Sequence, residues 1–232
     1  MAIAETPLLP FADEIWIKRV PLRFFGLQIG TRMSVIRLRD GGLFVHSPVV
    51  ATAETRAAVD VLGAVRFVVA PNRLHHLFVG DWFAAYPAAR IFCAKELVRK
   101  RADLPWHGAL DDAPEPEWAA EIDQALFRGN RFMEEAIFLH RRSRTLIVTD
   151  LLESAHREDG WLERVAARIG GVYERPGLTH DQRLMVRDRP AARAAARRIL
   201  AWDFERIVLA HGQLIERDGK SVFRAAMRWL GV

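Results

Sequence analysis

Four short apolar runs constrain this chain more than any other feature. They are "GLFVH" (42–46), "RFVVAP" (66–71), "TLIVTD" (145–150) and "RIVLAH" (206–211). Apolar residues, many of them β-branched, dominate each run, so each reads as a strand. Each also finishes in or near a histidine or an aspartate: His46, the pair His75 and His76, Asp150 and His211. Strand ends in α/β sheets are where ligands collect, because the sheet fixes the position of the loop that follows. If these strands run side by side, their terminal side chains converge on one spot.

Helices separate most of the runs. "TAETRAAVDVLG" has Thr52 as a cap, an apolar face and Gly63 as a stop. The stretch from His75 to Tyr86 reads as a helix stopped by Pro87, and "KELVRKRADL", "DGWLERVAARIGG", "RPAARAAARRILAW" (Pro190 in its first turn) and "GKSVFRAAMRWLG" read as four more. Two hairpins are expected, one turning at Asp40-Gly41-Gly42 and one near Arg142–Ser143. Residues 105–118, rich in Pro and acid, read as a surface loop. Strands first, then alternation, a hairpin, and alternation again imply an α/β layered domain with mixed sheets and helices outside. With 232 residues, half of them apolar, one domain over 1–232 is expected.

Composition removes several alternatives. The single cysteine, Cys93, excludes an intrachain disulfide and any CxxC knuckle, and its place in "ARIFCAKEL" reads as a buried, inert thiol. The N-terminal "MAIAETPLLPFADEIW" lacks a signal-peptide pattern, and no run approaches the roughly 18 apolar residues of a membrane span. A cytoplasmic protein without a membrane partner is the expectation. The net charge is +5, with basic clusters at 140–144 and 189–198. No aromatic residues interleave with them, so they read as a tight turn and a solvated helix face, and nucleic acid is a disfavoured partner. A homodimer is left open.

The convergent residue types suit a metal: neutral imidazole nitrogen and carboxylate oxygen are ligands of zinc, iron or manganese. A lone histidine at a strand end more often caps a backbone group, but four such ends in one chain form a pattern. In "IVLAHG", Gly212 lets the chain turn away at once and leaves the imidazole of His211 exposed. His140 falls near a hairpin turn and reads as a structural hydrogen-bonding group. His107 and His156 read as solvated, and His180 as a loop residue that could overhang the site.

The stretches "RMSVIRLRDGGLFVHSP", "VVAPNRLHHLFVGDW", "FLHRRSRTLIVTDLL" and "FERIVLAHG" resemble the metallo-β-lactamase superfamily, and within it a divergent bacterial subfamily of unknown function with a degenerate metal-binding signature. The resemblance implies a four-layer αβ/βα sandwich, two mixed β-sheets flanked by helices, with the site at one edge of the sheets. The superfamily's His-x-His-x-Asp-His signature, aligned on its last histidine, puts Pro71 and Arg73 at the first two histidines, His75 at the aspartate and His76 at the last position. Where a further histidine is usual, this chain has Gly129 and Asn130. The ligands of the first metal position are therefore missing. The second keeps His76, Asp150 and His211, with His75 in place of the aspartate, and His46 stands where an early aspartate is common.

The implied function is a mononuclear metal-dependent hydrolase of an ester, thioester or phosphate bond in a small-molecule substrate. His75, His76, Asp150 and His211 would hold one divalent transition metal, zinc first, with iron or manganese as alternatives. Asp150 and His75 are the catalytic candidates, His75 as fourth ligand or as the base that orients water. The alternative is a non-catalytic small-molecule-binding protein on a degenerate hydrolase fold.

Overall fold

The computed structural model describes residues 5–24, 26–155 and 160–232; His156 lies outside the described residues. The apolar runs become strands of two mixed sheets. The larger has seven strands, in the order β1 (Leu9–Ala12), β2 (Ile15–Val20), β5 (Thr31–Arg37), β6 (Leu43–His46), β7 (Val65–Ala70), β8 (Arg90–Cys93) and β9 (Gly108–Ala109). Pairing is antiparallel from β1 to β6 and parallel from β6 to β9. The smaller sheet runs β10 (Ile122–Phe127), β11 (Glu135–His140), β12 (Thr145–Ile147) and β13 (Arg206–Val208), with only β12 and β13 parallel. β3 (Arg23–Phe24) and β4 (Leu27–Gln28) form a separate ribbon.

The period-2 alternation of strand side chains produces the layers. Phe44, Phe67 and Val69 face Phe138 and Ile147 of the other sheet, forming an inter-sheet core. Their neighbours Val45 and Val68 face outward, under α1 (Ala53–Asp60), α2 (Val79–Ala85) and α3 (Lys95–Lys100), which contribute Val59, Trp82 and Leu97. The outer face of the second sheet packs Ile137, Leu139 and Ile207 against α6 (Arg189–Ala201) and α7 (Gly219–Met227) through Ala196, Ile199 and Phe223. The result is helix on sheet on sheet on helix. α4 (Trp161–Gly170) and α5 (His180–Met185) stand apart from these layers, where α4 packs on β4 and α5.

Two local expectations need correction, and one strand was not expected. The segment 105–118 is not all surface loop, for it supplies edge strand β9 and ends in fully buried Trp118, whose ring meets Phe44, Phe67 and Phe92 edge-on at 4.9–5.2 Å. Burying a ring of that size outweighs the polar character of its neighbours. The helix expected from His75 begins only at Val79. Asn72 Oδ1 accepts from the backbone N–H groups of Leu74 (2.8 Å) and His75 (3.0 Å), and this side-chain-to-backbone turn competes with helix formation. Strand β10, with Asp123 and Gln124 in it, had no clear apolar signature.

Candidate metal centre

The loops after β6, β7, β12 and β13 meet at one edge of the two sheets. There the backbone N–H of Ala136 donates to the carbonyl of Pro71 (2.9 Å), joining the sheets. Around that seam three groups come together: His75, Asp150 and His211, with one potential ligand atom from each within 4.8 Å of the others. His75 Nε2 lies 3.2 Å from His211 Nε2 and 3.4 Å from Asp150 Oδ2, and His211 Nε2 lies 3.2 Å from Asp150 Oδ1. Ligands about 2.0–2.1 Å from a tetrahedral zinc are about 3.3–3.4 Å from one another, so this donor set fits such an ion closely.

Each ligand is held from behind. His211 Nδ1 donates to the carbonyl of Gly30 (2.6 Å), which leaves the lone pair of the neutral ring on Nε2, the nitrogen facing the cluster. Gly212, at φ +99°, turns the chain immediately after it, and any side chain there would meet Ser154. Buried Arg32 secures the same loop through the carbonyls of Leu209 and Gly212. His75 Nδ1 lies 2.6 Å from Ser47 Oγ, and Ser47 reaches it from a left-handed backbone conformation at φ 51°. Asp150 Oδ2 accepts from Asn72 Nδ2 (2.6 Å), and the same amide group donates to Thr149 Oγ1 (2.9 Å). Asn72 thus shapes the histidine turn with its oxygen and positions the aspartate with its nitrogen.

Glu135 organises the aspartate loop. Its carboxylate accepts from the backbone N–H groups of Thr149 (2.6 Å), Asp150 (2.8 Å) and Leu151 (2.9 Å). Burial and the charge of Asp150 push its pKa up to about 7. Burial also pushes Glu153 up to about 7, assisted by Asp150 and opposed by His211. For Asp150 burial works the other way from the result. The charges and hydrogen bonds of His75 and His211 outweigh it and hold the carboxyl well below the ordinary carboxylate range. His211 is likewise lowered by burial but raised overall, by its bond to Asp150, by the charges of Asp150 and Glu153 and by the Gly30 carbonyl.

The other expected residues lie elsewhere. His76 does not join the cluster. Its Nδ1 lies 3.2 Å from the guanidinium of Arg101, which is only a donor, so the Nδ1 lone pair is committed and the proton of the neutral ring sits on Nε2. Burial, with Lys100 and Arg101 nearby, pushes its pKa down to about 4. His46 turns into the inter-sheet core, edge-on to Phe138 at 5.4 Å; burial and the charge of His75 push it down to about 3. The adjacent Ser47, not His46, reaches the site. His140 Nδ1 pairs with Ser143 Oγ (2.9 Å) inside its hairpin. His180 opens α5, where its Nδ1 donates to the carbonyl of Ile169 (3.0 Å), away from the cluster. His107 is exposed, yet its Nδ1 accepts from Ile91 N–H (3.1 Å). Cys93 is buried, and burial raises its thiol to about 12. The supporting residues Ser47, Asn72, Glu135 and Arg32 carried no local signal.

The cluster opens into a cavity of about 810 Å³, whose walls come from the β3–β4 ribbon, the 74–78 turn, the 130–133 loop, α4 and α5. No described helix is long and apolar enough to cross a membrane.

Comparison with known proteins agrees with this architecture. A family model described as a domain of unknown function, DUF4336, matches residues 12–162. No curated protein sequence matches the chain. Among solved structures, the metallo-β-lactamase DIM-1 exposed to ceftazidime superposes with a TM-score of 0.66 at 11% identity, covering 99% of each chain. The metallo-β-lactamase FIM-1 from Pseudomonas aeruginosa, in its mono-zinc form, gives 0.62 at 9% identity, over 99% of this chain and 96% of that one. The Flv1 flavodiiron core from Synechocystis sp. PCC6803 gives 0.66 at 13% identity, over all of this chain and 62% of that one. These likenesses establish the metallo-β-lactamase fold.

Proposed function

The chain belongs to the DUF4336 family and has the metallo-β-lactamase fold, and from that premise we propose that it is a mononuclear metal-dependent hydrolase of a small-molecule ester, thioester or phosphate. The observation that carries this reading is the convergence of His75 Nε2, His211 Nε2 and the Asp150 carboxylate at 3.2–3.4 Å, each oriented by a partner behind it. Two imidazoles and a carboxylate suit zinc first, with iron or manganese as alternatives. Three protein ligands also leave a coordination position open, as catalytic rather than structural sites do.

A divalent ion held there would supply Lewis acidity, for polarising the scissile carbonyl or phosphoryl oxygen and making water more acidic. His75, Asp150 and His211 are the residues that would hold it. Glu153, partly buried on the wall of the same cavity and with its pKa pushed up to about 7 by burial, is the group we assign to take the proton from the attacking water. His76 faces the cavity from the cationic side with Lys100 and orients substrate rather than ligating metal. In ester hydrolysis the water oxygen bonds to the acyl carbon and the bond from that carbon to the leaving oxygen or sulfur breaks. The proton reaches the leaving group, and the acid product ionises.

A small-molecule substrate, a cytoplasmic location and no nucleic-acid partner complete the reading. The basic cluster at 140–144 supports the last point, because Arg141, Arg142 and Arg144 are paired with Asp123, Asp13 and Asp203, and in the second cluster Arg198 is paired with Asp112. The non-catalytic alternative draws support from one feature: the cluster closes on itself through direct histidine–aspartate contacts. Elemental analysis of purified protein separates the two. The hydrolase reading expects about one equivalent of zinc, iron or manganese after reconstitution, and less than half an equivalent of any of them contradicts it.

A further inference from the structure

The cavity is far larger than the metal site needs. Pockets that take whole small molecules run from about 300 to 1,000 Å³, and this one, at about 810 Å³, lies near the top of that range. His75, Asp150 and His211 occupy one part of it. The remaining wall is built mainly from aliphatic side chains: Leu22, Leu27 and Ile29 from the ribbon region, Ala166 and Ala167 from α4, and Met185 from α5. At its mouth Leu77, Phe132 and Met185 remain about half exposed, more apolar surface than a wall facing only water would keep.

The polar groups on the wall are mostly committed to protein. Glu163 accepts from Gln28 N–H (2.9 Å), Gln182 donates to Glu153 (2.7 Å), and Lys100 donates to the carbonyl of Arg73 (2.8 Å). Gln28 Oε1 is buried and without a hydrogen-bond partner among the described residues, and the charged side chains of Arg19, Arg23 and Asp181 also reach the wall. A sugar or nucleotide needs many directed hydrogen bonds, and this wall offers few. Aliphatic walls instead recognise apolar surface through burial, without directionality.

We infer that the substrate is an acyl ester or thioester with a long, flexible hydrocarbon chain, the chain lying in the cavity beneath α4 and α5 and its carbonyl reaching His75, Asp150 and His211. This rests on the hydrolytic reading above and names its substrate class. The reaction is the same balanced hydrolysis, giving a fatty carboxylate and an alcohol or thiol.

The test uses the full chain in two forms, zinc-loaded and metal-stripped. With p-nitrophenyl esters from acetate to dodecanoate, kcat/KM of the zinc form should rise by up to about fourfold for each methylene that becomes buried, until the cavity fills. Calorimetric titration of the metal-stripped form should show dodecanoate binding at least tenfold more tightly than octanoate. Ala166→Phe, which projects a ring into the cavity, should shift the preferred chain to a shorter one, lowering kcat/KM for the dodecanoate ester at least tenfold relative to that for the butyrate ester. Met185→Trp provides a second, independent narrowing should the first variant fail to fold. Hydrolysis of the acetate ester without any chain-length dependence, and with no dodecanoate binding, overturns this assignment while leaving the hydrolase intact. Chain-length-dependent binding by a protein that turns over no ester upholds the cavity assignment and overturns hydrolysis.

Discussion

His75 and His76 are the same residue, adjacent in one turn, and the structure puts them in opposite electrostatic surroundings. His75 looks toward a buried carboxylate and a second imidazole, His76 toward Arg101 and Lys100. Both rings are largely shielded from solvent. The difference is in which nitrogen retains a usable lone pair. For His75, Ser47 engages Nδ1 and leaves Nε2 facing the cluster; for His76, a donor-only guanidinium consumes the lone pair of Nδ1. Competence as a ligand is therefore conferred by groups from distant chain segments, and Asn72 decides which ring meets which neighbours.

Removing the anionic side should have the largest effect. Asp150→Asn should lower zinc affinity by more than the roughly 10–100-fold that loss of an outer-shell group costs, measured by competition with a fluorescent chelator. Retention within tenfold would erase the contrast between the two histidines. Ser47→Ala, which frees Nδ1 of His75, should cost about 10–100-fold in the same assay, with the fold intact by circular dichroism.

Titration sharpens the comparison next. His76 has a depressed pKa, so it is neutral in the fold while the unfolded chain takes up a proton near pH 6.5, and its contribution to stability is lost as pH falls from about 6.5 toward 4. His211 has the opposite sign: its raised pKa gives a contribution that is full below about 6.5 and lost as pH rises through its folded value. In urea unfolding of the metal-free protein, His76→Ala should flatten the loss between about pH 6.5 and 4, and His211→Ala should remove the loss that sets in as pH rises above about 6.5. The ceiling for one group is about 1.4 kcal/mol per pH unit, and solvent at the cavity edge brings His76 below it. Equal slopes in the two variants would contradict the assigned environments. The smallest effect expected is that of His76→Ala on zinc affinity, within about twofold of the parent.

The layers and the convergence of strand ends were legible because both depend on patterns that burial enforces along a strand: "RFVVAP" and "RIVLAH" can be little else. The mixed sheets follow from hairpins at Asp40–Gly42 and Arg142–Ser143 combined with helical crossovers. The sorting of His75 from His76 was not legible, since it depends on an Asn72 turn only a few residues long and on Arg101, which arrives 25 residues later. Glu135 was obscured for a similar reason. A glutamate opening an apolar strand looks like a solvated edge, and only the fold shows that it holds three backbone N–H groups of the Asp150 loop. Trp118 shows the converse, a core residue inside a segment whose prolines and acids read as surface.

The most direct measurement is metal stoichiometry, by mass spectrometry, for the parent protein, His75→Ala and His76→Ala after identical reconstitution with zinc and desalting. The account predicts about one equivalent for the parent and for His76→Ala, and close to none for His75→Ala. Zinc retained by His75→Ala but lost by His76→Ala would contradict it.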